Sequence, residues 1–161
     1  MSDAAMPHAP GAPSLGRIEA GRHILPLRVY WEDTDASGIV YYANYLRFIE
    51  RARSDLLRLA GVRQDAIWTE HGVALTVRAC AIDYFRPARL DDVIEVHSRI
   101  LELKGASVRA RQSVWRAGEE LVRAEVRIAC IDRAGRARRL PEPVRHALAM
   151  ILPLSSEDSH A

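Results

Sequence analysis

Between Ala43 and Ala60 the apolar residues Tyr45, Phe48, Ile49, Ala52, Leu56 and Leu59 recur at steps of three and four, with Arg47, Glu50, Arg51, Arg53 and Arg58 between them. This spacing puts the apolar side chains on one face and predicts an amphipathic helix of about 18 residues, roughly 27 Å long. Gly61 follows the last apolar position, where a left-handed residue often ends a helix. A second, short helical piece is expected at about 64–70. Before the long helix, His23 to Trp31 carries Ile24, Leu27, Val29 and Tyr30 and reads as a first strand. The turn formers of Thr34-Asp35-Ala36-Ser37-Gly38 then reverse the chain.

Beyond Gly72 the period changes from 3.6 to 2. Leu75, Val77, Ala79 and Ala81 alternate with Thr76, Arg78, Cys80 and Ile82 in a strand that runs on to Phe85. Three more strands follow, Val93 to Leu103, Ser107 to Arg116 and Leu121 to Ile131, joined by turns short enough for antiparallel hairpins. In the last two, Val108, Ala110, Gln112, Val114, Val122, Ala124, Val126, Ile128 and Cys130 define one face. Arg109, Arg111, Arg123, Glu125 and Arg127 define the other. A final helical turn is expected near Val144 to Ile151. One strand, one long helix and four antiparallel strands make an α+β domain, with a five-stranded antiparallel sheet wrapped around one central helix.

The 161 residues suffice for one domain with a core and are too few for two ordinary ones. The domain is placed at 23–152, between a disordered N-terminal tail at 1–22 and a polar C-terminal tail at 153–161. The N-terminal residues lack the basic start and apolar centre of a secretory signal, and no run approaches the roughly 20 apolar residues of a membrane span. A cytoplasmic location is expected. The net charge of +2 is too small to argue for nucleic acid. Cys80 and Cys130 fall inside strands without metal-ligand spacing and are expected to be buried free thiols. Isolated turn glycines rule out a phosphate loop, and the scattered histidines give neither an i,i+4 metal pair nor a partner for a serine nucleophile.

The densest chemistry lies in Trp31-Glu32-Asp33-Thr34-Asp35-Ala36-Ser37-Gly38-Ile39-Val40-Tyr41-Tyr42-Ala43-Asn44-Tyr45. It places carboxylates just before the start of the long helix, where free backbone N–H groups and the helix dipole favour negative charge. Such donors can polarise a carbonyl and hold an oxyanion, and a nearby carboxylate can activate water or attack directly. The same spacing fits Asp33 or Asp35 as ordinary turn or helix caps. Glu32, Asp33 and Asp35 make a weak cation site, since no fourth ligand follows in sequence.

From Val29 through Tyr45, and on through Phe48-Ile49-Glu50-Arg51-Ala52-Arg53, the chain resembles the signature of 4-hydroxybenzoyl-CoA thioesterase-like hot-dog proteins. It is nearest to the branch called Tol-Pal-associated acyl-CoA thioesterases. Tyr84-Phe85-Arg86-Pro87-Ala88-Arg89-Leu90-Asp91-Asp92 resembles that branch too, and the similarity spans about residues 25–135. The resemblance implies a hot-dog fold and hydrolysis of an acyl-CoA thioester without metal or other cofactor. It implies Asp35 as the catalytic carboxylate, Asp33 shaping the turn, and the Tyr42 backbone N–H as oxyanion donor. Many members of the branch carry histidine where this chain has Tyr42, so only the backbone of Tyr42 takes over a role.

Gly38 and Asn44 belong to the same motif, and Thr76 matches a position near the reacting group. Lys104 matches a turn that holds coenzyme phosphates, although Gly105 and Ala106 beside it are not basic. Arg86, Arg89 or the arginine face are alternative phosphate contacts. The resemblance also implies a homodimer or homotetramer with active sites between subunits. The alternatives are an acyl-ACP thioesterase, whose acidic acyl carrier protein would meet the positive face, and a non-catalytic envelope-associated binding protein on the same fold.

Overall fold

The computed structural model describes residues 16–152; most of the N-terminal tail and all of the C-terminal tail lie outside the described residues. Six strands form one antiparallel sheet: β1 (Arg17–Glu19), β2 (Arg22–Arg28), β3 (Val73–Tyr84), β4 (Val93–Leu103), β5 (Ser107–Arg116) and β6 (Glu119–Asp132), in the order β1-β2-β4-β5-β6-β3. The long helix α1 (Asn44–Leu59) lies in the concave side of this sheet, the expected hot-dog arrangement. A short helical turn α2 (Gln64–Ala66) continues as a π turn (Ile67–His71), and α3 (Glu142–Ile151) closes the fold.

The inner face carries the alternation expected of β5 and β6. Val114, Val122, Ala124 and Val126 pack with Tyr45, Phe48, Ile49 and Ala52 of α1 in one core cluster. A second cluster joins Leu56 and Leu57 at the C-terminal end of α1 to Ile100, Val108 and Leu148. After Leu59 the chain turns at Gly61, whose φ of +81° lets its N–H reach Arg58 O while Val62 N–H bonds Leu57 O.

Three expectations change. The sheet has six strands rather than five, because Arg17–Glu19, assigned to the tail, pairs with Arg22–Ile24 of β2. A three-residue strand is too short to leave a periodic signal. The alternation along β3 breaks at Arg78, a bulge: Val77 pairs with Ile128 and Ala79 with Arg127, so the facing parity reverses. Cys80 and Ile82 therefore oppose Val126 and Ala124 on the helix side, and Ala79 and Ala81 turn outward. Finally, both thiols are free, but only Cys130 is buried. Cys80 is exposed because β3 is an edge strand with no neighbour beyond it among the described residues.

Phe48 is 1 % exposed at the centre of the first cluster. Phe48→Ala is expected to destabilise the fold by about 3–5 kcal/mol, read from the midpoint of urea unfolding at unchanged slope.

Candidate active site

The chain leaves β2 through a 3-10 turn, Trp31–Asp33, and reaches α1 through an exposed loop. Asp33 is 9 % exposed, and its carboxylate ties the two ends of this connection together. One oxygen accepts the Tyr30 N–H at 2.8 Å and the other accepts Asn44 Nδ2 at 2.8 Å. Its carbonyl oxygen accepts the Tyr41 N–H at 2.9 Å. A buried carboxylate with several donors stays satisfied, so Asp33 and Asn44 fix where the helix begins.

Asp35 occupies the loop that Asp33 frames. Its N–H donates to Ile39 O at 2.9 Å, and its carbonyl accepts from Gly38 N at 3.0 Å. Gly38 takes φ +77°, a conformation that an L side chain rarely adopts, so the turn depends on glycine there. Oδ1 accepts the Ser37 N–H at 2.8 Å and the Ser37 hydroxyl at 2.5 Å. Among the described residues, Oδ2 accepts no hydrogen bond. One oxygen orients the carboxylate, and the other is free to take a proton from water or to attack. The Ser37 hydroxyl, then the Ser37 N–H, hold the Asp35 carboxyl below its ordinary range, partial desolvation opposing them.

Tyr42 lies two residues before α1, whose N-cap is Ala43. Asn44 N–H turns back to Tyr41 O at 2.8 Å, but among the described residues the Tyr42 N–H has no acceptor. It is therefore an unspent donor just before the positive end of the helix. The Tyr84 hydroxyl donates to Tyr42 O at 2.9 Å, and the ring of Tyr84 meets those of Tyr42 and Tyr45 edge-on. The Tyr45 hydroxyl in turn accepts the Ala88 N–H at 3.0 Å, while Val40 N–H donates to Ala88 O. Tyr84 and Ser37 are thus positioning groups that sequence reasoning gave no role. The signal for Tyr84 was its place at the end of β3, just before Arg86-Pro87; that for Ser37 was its place two residues after an aspartate.

Asp33, Asp35, Gly38, Tyr42 and Asn44 are gathered at one end of the chain's fold; Thr76 and Lys104 are not. Thr76 lies eight residues down β3 from Tyr84, about 26 Å away along a strand. Lys104 follows the far end of β4, roughly 33 Å from the strand's start beside Asp92 and Val29, and pairs with Glu102 at 3.6 Å. Near Thr76 lies a cavity of about 270 Å³ lined by Glu50 and Arg53 of α1 and Val77 of β3. Leu56, Leu57, Ile100, Val108, Ile128 and Leu148 are among its walls. At its polar end the buried Gln112 donates to Ile49 O and Ser98 Oγ, both at 2.9 Å, and accepts Arg53 at 2.8 Å. Among the described residues no group of His, Cys, Asp and Glu side chains has the geometry to hold a metal ion.

A sheet wrapped around one helix, with a free amide at the helix start and a carboxylate in the loop before it, has the arrangement of a hot-dog thioesterase. Residues 29–148 match the Thioesterase-like superfamily, and the chain belongs to it. It is 44% identical over 107 residues to the acyl-CoA thioesterase YbgC of Haemophilus influenzae, covering 66% of this chain and 79% of that protein. It is 28% identical over 127 residues to a 1,4-dihydroxy-2-naphthoyl-CoA hydrolase of Microcystis aeruginosa, 78% of this chain and 92% of that one. Among solved structures, a probable thioesterase from Bartonella henselae superposes with a TM-score of 0.72 at 39% identity, over 74% of this chain and 99% of that one.

The hydrogen bonds from Ser37 set a pH signature. With Asp35 as the working carboxylate that the resemblance implies, its ionised form is the active one, so kcat/KM is expected to rise with pH through the Asp35 pKa and to level off below the ordinary aspartate range. Ser37→Ala removes the largest cause of the depression, and the acid limb of the kcat/KM profile should move to higher pH, towards that of an unperturbed aspartate.

Proposed function

We infer that the protein hydrolyses acyl-CoA thioesters to free coenzyme A and a carboxylic acid. The observation that carries the reading is an Asp35 oxygen and a Tyr42 N–H that are both without partners among the described residues, in the one connection that leads into α1. The thioester carbonyl oxygen accepts the Tyr42 N–H, which strengthens as the oxygen becomes an alkoxide. Asp35 either removes a proton from the attacking water or attacks the carbonyl carbon itself, after which water releases the acid from the mixed anhydride. The carbon–sulfur bond breaks and the coenzyme A thiolate takes up a proton. No step calls on a metal or a redox cofactor. The superfamily match and the YbgC relatives support this chemistry.

The acyl group is assigned to the apolar cavity beneath α1. Thr76 and Val77 line it, too far along β3 for the cavity to serve the Asp35 of the same chain directly. The exposed edge of β3 supplies an explanation: an antiparallel pairing of two copies centred on Cys80 brings Thr76 of one to the Tyr84 end of the other's strand. Exposed Val77, Tyr84 and Leu46 along this edge support burial against a second copy. We therefore read the active unit as a homodimer, or a homotetramer built from such dimers. The two unpaired thiols agree with a reducing, cytoplasmic setting.

Two measurements test this. Asp35→Asn should keep the melting temperature and the affinity for acyl-CoA but lose about 10²- to 10⁴-fold in kcat. An unchanged rate across short, long and aromatic acyl-CoA esters would remove Asp35 from the chemistry. For the assembly, mild oxidation should link two chains through Cys80 and give a covalent dimer on a non-reducing gel. Cys80→Ser should abolish the band, and a monomer in sedimentation at assay concentration would overturn the shared site.

A further inference from the structure

The apolar inner face of the sheet is interrupted by one polar level. The register sets His23 of β2 opposite Ser98 of β4, and Ser98 opposite Gln112 of β5. On one side of this level stand Leu25, Val96 and Val114, on the other Ile100 and Ala110, so it separates the two apolar clusters of the core. None of His23, Ser98 and Gln112 is more than 2 % exposed. Burying a polar side chain costs free energy unless its hydrogen bonds are made, and two of these three are left with bonds to make.

Asp55 of α1 reaches this level from the helix. Its Oδ2 lies 2.7 Å from His23 Nε2 and accepts the Gly16 N–H at 3.0 Å. A carboxylate accepts only, so Nε2 carries the ring proton and Nδ1 presents a lone pair. That nitrogen is buried and has no partner among the described residues. Across the register, Ser98 Oγ accepts Gln112 Nε2 at 2.9 Å and, among the described residues, donates to nothing. Side chains directly opposite on one face have Cβ atoms roughly 4.5–5.5 Å apart, so rotation about the Ser98 Cα–Cβ bond carries its hydroxyl towards His23. Ser98 also lines the cavity of about 270 Å³, together with Arg53 and Gln112. An unspent hydroxyl proton, an unspent imidazole lone pair on a ring that a carboxylate orients, and an apolar chamber thus occur together.

We propose that Ser98, His23 and Asp55 form a second acyl-transfer centre, which cleaves short-chain carboxylic esters independently of Asp35. Ser98 Oγ attacks the ester carbonyl carbon as its proton passes to His23 Nδ1. The carbon–oxygen bond to the alcohol breaks, and the alcohol leaves with that proton. Water, deprotonated by the same nitrogen, then frees the acid from Ser98, whose oxygen recovers the proton. Asp55 orients the imidazole and balances its positive charge, and the Gln112 amide holds Oγ as the proton leaves. Arg53 brings positive charge to the oxyanion. The roles are those of a serine-hydrolase triad, set up by strand register where no sequence motif pairs a histidine with a serine. The cavity has room for about nine groups the size of a water molecule, which limits the acyl part to a short chain.

The test uses Asp35→Asn as the background, so that no acyl group can rest on that carboxylate. Mixed with p-nitrophenyl butyrate, this protein should release p-nitrophenolate in a burst of about one per chain. Acid quenching should trap a butyryl group, which peptide mass spectrometry is expected to place on Ser98. Adding Ser98→Ala should remove burst and adduct. Adding Ser98→Cys should restore both, with the acyl group now labile to neutral hydroxylamine. Adding His23→Gln should slow the burst by about 10²- to 10⁴-fold with Ser98 still in place. Melting temperatures show whether each variant folds, and the Ser98→Cys adduct decides the matter if Ser98→Ala or His23→Gln does not. Butyryl groups scattered over lysines and tyrosines would overturn the proposal, as would a burst that survives Ser98→Ala or an undiminished burst in His23→Gln. The absence of an adduct from both the background and the Ser98→Cys protein would overturn it too.

Discussion

The apolar face of α1 is covered only if the chain leaves β2, reverses, and starts a helix at a fixed point in front of the sheet. That reversal hangs on the buried carboxylate of Asp33, which takes Tyr30 N–H on the strand side and the Asn44 amide on the helix side. With both ends held, the intervening loop has little freedom. Tyr41 N–H is drawn to Asp33 O, and its neighbour Tyr42 is left outside the helical ladder with its own N–H unspent. The residue proposed for the chemistry and the residue that shapes the loop are thus two positions apart and have opposite environments: Asp33 enclosed and saturated, Asp35 open and half-satisfied. One aspartate cannot both tie the loop to the helix and keep an oxygen unspent, and this loop has two.

Much of this was legible in the sequence because period is a direct consequence of burial on one side. Phe48, Ile49, Ala52 and Leu56 mark the buried face of α1, and the even-numbered positions of β5 and β6 mark the inner face of the sheet. β1 was not legible, since three residues cannot establish a period. The bulge at Arg78 was not either: no glycine marks it, and both halves of β3 alternate correctly in isolation, so only the partner strand reveals the slip.

At the site, the spacing of Asp33 and Asp35 before a helix gave the region, and family likeness gave the choice between them. The separation of Thr76 and Lys104 from that loop could not be read from the sequence, because it depends on how far along β3 and β4 each one falls. The exposure of Cys80 has the same origin. A residue on the helix side of the sheet would ordinarily be buried, but among the described residues the last strand in the order has nothing beside it.

The bulge also governs which chains can join that last strand. β3 offers twelve residues of open edge, and its only charged side chains are Arg78 and Asp83. A flat edge of this length would accept almost any extended segment, including those of unfolded chains. The bulge divides it into two short straight runs with a twist between them, and a uniform strand can follow only one run before its hydrogen bonds fall out of step. A break in regularity thereby works as a guard, keeping the edge from collecting the misfolded material that an unbroken one would take up.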